Sequence, residues 1–301
     1  MNLSNLRIDT GEVEKSLPDL SEVVEINRGG FKIVYSAKIK SKKEALKLVI
    51  IPSVPAGQEQ LRTECLGRVK REINVLANCK RTEIVKLGSL APTAIVIGGN
   101  TFIAYSEEFL EGRTLFEIVS DQKASGPDWL ELKVLTISLL KAIQELWAQK
   151  IIHRDIKPSN VIKTGDPRRP FVLLDLGIAF SIIETHLTVA PEQRHPVGTW
   201  RYMAPEMLRP NFRDTVSFRS DLYTMGQTVF EYAARVHPLA RNSDDLFQTV
   251  TRIVTQEPRQ LSELRTDLPK AFCNLIDQTM KKIPALRPGN IEHLIQTVEG
   301  L

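Results

Sequence analysis

The chain has 301 residues, 42% hydrophobic and 25% charged, with a net charge of +4 at neutral pH. That is enough for one large domain or two lobes with real cores, and the composition excludes a disordered or fibrous class. So small a charge reads as a solvated surface and argues for no nucleic-acid partner.

Three scattered cysteines, Cys65, Cys79 and Cys273, have no metal-ligand spacing and make a poor disulfide framework, which fits a reducing compartment. Met1 to Asp9 has no apolar run behind basic residues, and no uncharged stretch reaches membrane-span length. A soluble, cytoplasmic protein without a membrane segment is expected.

Residues Met1 to Leu20 are polar and weakly patterned, like a tail or a strap over the domain. Short β-branched and aromatic runs follow, at Val23-Val24, Ile33-Val34-Tyr35 and Ala45 to Val49, with glycines between them; these predict strands joined by tight turns. Leu61 to Asn78 reads as a helix, with Leu66, Val69, Ile73 and Leu76 at spacings of three and four. Ile84 to Phe109 returns to strands, with Gly98-Gly99-Asn100 as a hairpin turn. Beyond Gly112 the pattern is helical. Trp129 to Gln149 is a long amphipathic helix, and further helices are predicted at Ser220–Ala234, Ser243–Thr255, Lys270–Lys281 and Asn290–Val298. Strands first and helices after, without βα alternation, mean two segregated parts. The boundary falls near Phe109 to Gly112, and a cleft between the parts is the expected ligand site.

The stretch His153-Arg-Asp-Ile-Lys-Pro-Ser-Asn160 carries the chemistry. It sets an acid (Asp155), a cation two residues on (Lys157) and an amide (Asn160) on one short loop. Phosphoryl transfer from ATP needs an acid to orient the attacking hydroxyl, a cation for the moving phosphoryl and an oxygen donor for Mg²⁺. Asp175-Leu176-Gly177 and Ala204-Pro205-Glu206 follow in that order. From about Ser21 to the C-terminus the chain resembles the eukaryotic-type protein kinase superfamily, in its serine/threonine-like form. The resemblance implies an α+β, two-lobed protein-kinase-like fold. A tail (1–20) would precede a small β-rich N-lobe with one long helix (21–109) and a larger, mainly helical C-lobe (110–300).

It also implies roles. Asp155 would accept the substrate hydroxyl proton, and Lys157 would mark serine/threonine specificity. Lys47 would pair with the α- and β-phosphates and with Glu72, while Asn160 and Asp175 would hold Mg²⁺ (or Mn²⁺). Asn27, Gly29, Gly30, Val34, Ala45, Lys47, Glu108, Leu110 and Ile162 would line the ATP site. Thr185 and Thr188 are candidate phosphorylation sites in an activation segment, with Arg154 as a phosphate receiver, and Thr199 would bond Asp155 and Lys157. Glu206 would pair with Arg287. Asp221 would support the backbone of the catalytic loop. His153 reads as packing rather than as a base.

The sequence departs from the family pattern at several points. Asn27 and Lys32 replace two glycines of G-x-G-x-x-G, and Leu176 replaces the Phe of D-F-G. Glu107 stands at the position guarding the back of the adenine pocket, where two readings remain: a register error of one, or a partner for Lys47. The acids that go with a preference for arginine ahead of the target are missing at Thr114 and Ser159, although Glu231 is kept. The expected function is a serine/threonine kinase acting on protein substrates with Mg–ATP, with activation-segment autophosphorylation. The alternatives are a pseudokinase scaffold, or a small-molecule phosphotransferase, which usually lacks Lys157 and the A-P-E segment.

Overall fold

The computed structural model describes residues 6–30, 32–51, 59–176, 200–209 and 215–301. They divide into two compact units, one within Met1–Cys79 and Val85–Leu110, the other within Lys80–Ile84, Glu111–Gly177 and Val197–Leu301. The first is a β-sheet with one long helix; the second is mainly helical.

In the first unit, strands β1 (Leu20–Arg28), β2 (Lys32–Ile39), β3 (Lys42–Ile51), β4 (Thr93–Ile97) and β5 (Asn100–Glu108) form an antiparallel sheet in the order β1-β2-β3-β5-β4. Alternation in β2 sends Ile33, Tyr35, Ala37 and Ile39 inward. The central strand β3 has no such alternation, because both faces of the sheet are covered. On one face Ile33, Tyr35, Leu46, Leu48 and Phe102 pack with Val13 and Leu17. Those last two belong to helix α1 (Thr10–Ser16) and its C-cap, in the stretch read from the sequence as a tail or strap. Asp9 caps that helix by accepting from the Gly11 amide at 2.7 Å. On the other face Val49 and Tyr105 meet Val69 and Ile73 of α2 (Glu59–Asn78), the residues whose spacing predicts the helix. Gly98 and Gly99 both have positive φ, as a two-residue turn between β4 and β5 requires.

The second unit is built around α4 (Trp129–Ala148) and α5 (Phe218–Ala234). Ahead of α4 come the short strand β6 (Gly112–Thr114) and helix α3 (Leu115–Ser120); β7 (Val161–Thr164) and β8 (Phe171–Leu173) lie between α4 and α5 and complete a small sheet with β6. After α5 come α6 (Leu246–Thr255), α7 (Leu261–Leu264), α8 (Lys270–Thr279) and α9 (Ile291–Gly300). Helix α6 begins three residues after the expected Ser243, because Asp245 takes the N-cap and forms a capping box with Gln248. Lys80–Ile84 lies inside the stretch expected as the N-lobe yet joins this unit. The Leu173 amide donates to the Glu83 carbonyl at 2.8 Å, and Ile84 bridges Leu173 in parallel.

Helix α5 is buried along nearly its whole length, although it carries Ser220, Asp221, Thr224, Gln227, Thr228 and Glu231. Buried polar groups must find partners, so this helix has to bond outward to other parts of the unit. Gly226 lets α8 approach closely: a Cβ added there would sit 2.1 Å from Thr279 Oγ1. No helix among the described residues is long and apolar enough to cross a membrane.

Candidate active site

The loop His153–Lys157 runs from α4 to a 3₁₀ turn at Pro158–Asn160. Its backbone is held from α5. Asp221 accepts the His153 and Arg154 amides on its two carboxylate oxygens, both at 2.8 Å. Thr228, seven residues on and so on the same helix face, places its hydroxyl 3.3 Å from the Ile156 carbonyl. Between these ties Arg154 has φ 67. A left-handed arginine costs roughly 1–2 kcal/mol, and the two bonds to Asp221 offset that strain. Burial pushes the Asp221 carboxyl up to about 7, against the pull of both amides.

Asp155, itself buried, is gripped from within the loop. The Lys157 ammonium lies 2.9 Å from its Oδ2, and the Asn160 side-chain amide donates to that oxygen at 2.9 Å and to the Asp155 carbonyl at 2.8 Å. His153 closes the arrangement. Its Nδ1 accepts the Asp155 amide at 3.2 Å, so Nε2 donates to the Leu174 carbonyl, also at 3.2 Å. Burial holds the ring below its usual range, so it stays neutral and serves as a backbone clamp. The Leu174 amide in turn donates to the Asn160 carbonyl at 2.8 Å. The residue before Asp175 is thereby tied to both ends of the loop, and Asp175 itself takes a left-handed turn at φ 55.

These residues fit a hard divalent cation. Asn160 spends its amide nitrogen on Asp155, which leaves its amide oxygen as a donor to metal, and Asp175 adds a carboxylate anchored beside it in sequence to Leu174. Oxygen donors of this kind suit Mg²⁺ or Mn²⁺.

In the first unit, strand register assembles a second set. Asn27 pairs with Val34, Val34 with Lys47, and Lys47 with Tyr105, a row across four strands. Directly opposed residues share a face, so Asn27, Val34 and Lys47 share one, and Ala45 and Glu107 lie on it two positions along. Lys47 and Glu107 are both buried, and they form an ion pair. Glu72 is buried on α2 between Val69 and Ile73, which pack on that same face of the sheet. Gly29 and Gly30 stand in the β1–β2 turn, where the Gly29 amide donates to the Lys32 carbonyl at 2.8 Å. Glu108 turns to the opposite face and accepts the Lys86 amide at 2.8 Å.

A family profile described as protein kinase domain matches residues 20–298, most of the chain. The chain belongs to the protein kinase family. Among its curated relatives, "Probable serine/threonine-protein kinase CPE1738" of Clostridium perfringens is 24% identical over 92% of this chain and 37% of its own length. "Serine/threonine-protein kinase PknH" of Mycobacterium bovis is 27% identical over 86% of the chain and 40% of its own. "Dual specificity mitogen-activated protein kinase kinase mek-1" of Caenorhabditis elegans is 32% identical over 54% and 43%. The chain thus spans about two fifths of the length of these relatives.

Against that kinase background the remaining expected residues fall as follows. Glu206 and Arg287 form a two-pronged buried ion pair at 2.6 and 2.8 Å, and Arg287 also donates to the Lys281, Lys282 and Arg219 carbonyls. Ile162 is buried on β7, opposite Val172 of β8, and Leu110 is the last residue of the first unit before Glu111. Thr114 caps α3, with Glu117 completing a capping box, and the Glu231 carboxylate accepts the Tyr202 hydroxyl at 2.6 Å. Burial raises the Glu231 carboxyl above its ordinary range. Thr185, Thr188 and Thr199 lie outside the described residues, as does Gly177.

Two supports escaped the sequence reading. Thr228 was findable from its seven-residue offset to Asp221. The clamp by His153 left no signal, because it depends on Leu174 reaching the loop.

Proposed function

We propose that this chain is an active serine/threonine protein kinase that transfers the γ-phosphoryl of Mg–ATP to Ser or Thr hydroxyls of protein substrates. The observation that supports this most is Asp155, buried and gripped by Lys157 and Asn160 on a loop whose backbone is bonded to α5. Its free lone pairs accept the proton of the attacking hydroxyl and aim the oxygen, and positioned acid–base groups contribute on the order of 10²–10⁴ in rate. Lys157 lies close enough to Asp155 to offset charge on the group in transit. Asn160 and Asp175 would hold Mg²⁺, which when bound offsets charge on the triphosphate. Lys47 bonds the α- and β-phosphates, with Asn27, Gly29, Gly30, Val34, Ala45, Glu108, Leu110 and Ile162 around the nucleotide and Glu72 supporting Lys47. Thr185 and Thr188 are autophosphorylation sites, Arg154 receives the resulting phosphate, and Thr199 bonds Asp155 and Lys157. A cytoplasmic setting, protein substrates and no nucleic-acid partner complete the reading.

The test is incorporation of radiolabelled phosphate with Mg–ATP, the chain against Asp155→Asn. A loss of about 10²-fold or more is expected; equal labelling of both would leave a nucleotide-binding scaffold as the better reading. With no acid at Thr114 or Ser159, although Glu231 is kept, no strong preference for basic substrates is expected. A peptide array dominated by Arg three places before the phosphoacceptor would overturn that.

A further inference from the structure

We propose that Glu107 is a positioning residue for Lys47, so that the sheet itself, and not α2 alone, holds the lysine in place for the nucleotide phosphates. This rests on the kinase reading above. Ala45 lies opposite Glu107 and Tyr105 opposite Lys47, so the two charged residues are diagonal neighbours on adjacent central strands. The small Ala45 leaves room for the longer Glu107 side chain to reach across to the ammonium. Both members are buried, with 4% of Lys47 and 2% of Glu107 exposed. A carboxylate taken out of water is costly unless it is paired, and Lys47 supplies that pair. The face of Tyr105, 5.8 Å from Lys47 Nζ, adds a further cation-binding surface.

The ammonium carries three donors. Glu107 takes one of them. The aim of Glu107 is set by the ladder between β3 and β5, which pairs residues continuously from Glu44–Glu108 to Ile51–Thr101. Glu72 also lies on this side of the unit, but on a helix, where Val69 and Ile73 are among the described residues that pack on the sheet. Movement of α2 would displace Glu72 and leave the Lys47–Glu107 pair intact.

The experiment uses the full chain and the isosteric variant Glu107→Gln beside Glu72→Gln. Steady-state kinetics against Mg–ATP should show KM raised on the order of tenfold in Glu107→Gln, the cost of exchanging a charged acceptor for a neutral one, and a smaller rise in Glu72→Gln. Independently of turnover, the rate of Lys47 acylation by N-hydroxysuccinimidyl acetate at fixed pH, read by peptide mass mapping, should rise several-fold in Glu107→Gln, because loss of the Glu107 charge favours the neutral amine of a buried lysine. Glu107→Asp keeps the charge and should stay within about threefold of the parent in both readouts. If the Gln variant fails to fold, a KM or acylation rate outside that range in Glu107→Asp would still overturn the proposal. Unchanged acylation in Glu107→Gln, or a loss in Glu72→Gln equal to that in Glu107→Gln, would overturn the proposal. So would faster turnover in Glu107→Gln, which would make the pair a restraint on Lys47. If the parent chain transfers no phosphate, the kinase reading fails by itself, and the acylation rates still decide whether Glu107 governs Lys47.

Discussion

Asp155 and Lys47 are held in opposite ways. Asp155 is gripped by Lys157 and Asn160, two and five residues away, and its loop backbone is bonded to Asp221 and Thr228 on one buried helix. Lys47 is held by a residue 60 positions away, which reaches it only because β3 and β5 pair in one register. The first arrangement spends buried polar groups on a short irregular segment. The second spends one ion pair on a segment that is already regular. An irregular loop has no ladder of its own, so each of its backbone groups needs a dedicated partner. A strand has its partners by construction, so a side-chain contact such as that from Glu107 only has to aim a residue on it.

That contrast predicts that the loop is the more fragile of the two, and the largest effect is expected there. Asp221→Ala removes both acceptors of the His153 and Arg154 amides and leaves them buried beside a left-handed Arg154. Unsatisfied buried groups cost about 1–3 kcal/mol each, so chemical denaturation should show the second unit weakened by about 3 kcal/mol or more. Hydrogen exchange at those two amides should accelerate while the β3–β5 amides keep their protection. Equal acceleration in the sheet would erase the distinction between the two units.

The same contrast explains what could be read from the sequence. Asp155, Lys157 and Asn160 lie within one eight-residue stretch, and spacing alone announces them. The strands and the long helices were legible from their apolar periodicity, as with Val69 and Ile73 on α2 or Ile33 and Tyr35 on β2. Pairing with Lys47 was one of two readings of Glu107, and the sequence could not choose it over a register error of one, because strand register is a property of two distant segments together, and a shift of one residue would have turned Glu107 to the other face. A strap was one reading of Met1 to Leu20, but its helix was not legible. Val13 and Leu17 are its buried apolar pair, too few to stand out as a period, and they matter because the sheet offers them an open face. Lys80–Ile84 joined the second unit through backbone bonds to Leu173, which no side-chain pattern encodes.

A middle-sized effect tests the second unit by pH. His237 is buried, and its Nδ1 accepts the Leu239 and Ala240 amides at 3.1 and 2.9 Å. Burial, reinforced by Arg201, holds the ring well below its usual range. In the unfolded chain it takes up a proton as pH falls below about 6.5. The unfolded state then binds more protons than the folded one, and folding stability is lost on acidification, by up to about 1.4 kcal/mol per pH unit. Asp221 works the other way between its ordinary value and about 7, since its folded form holds the proton longer. His237→Asn keeps an acceptor for the two amides without titrating. The unfolding free energy of the parent should therefore fall relative to that of the variant as pH drops below about 6.5, with the Asp221 contribution common to both and cancelling. A difference independent of pH would mean that the folded ring is protonated as readily as a free one.

The smallest effect tests the sheet. Gly99 has φ 75, and an added Cβ would meet nothing within 4 Å, so Gly99→Ala introduces backbone strain and little else. The expected cost is about 1 kcal/mol. The strain stays at the β4–β5 turn because register is defended along the whole strand: a one-residue slip of β5 would send Phe102 and Ala104 out of one core and Tyr105 out of the other. Urea denaturation should record that modest loss, and KM for Mg–ATP should not move, since Lys47 and Glu107 keep their partners. A rise in KM accompanying so mild a strain would show that the hairpin turn, rather than the faces of β5, sets the register on which the lysine depends.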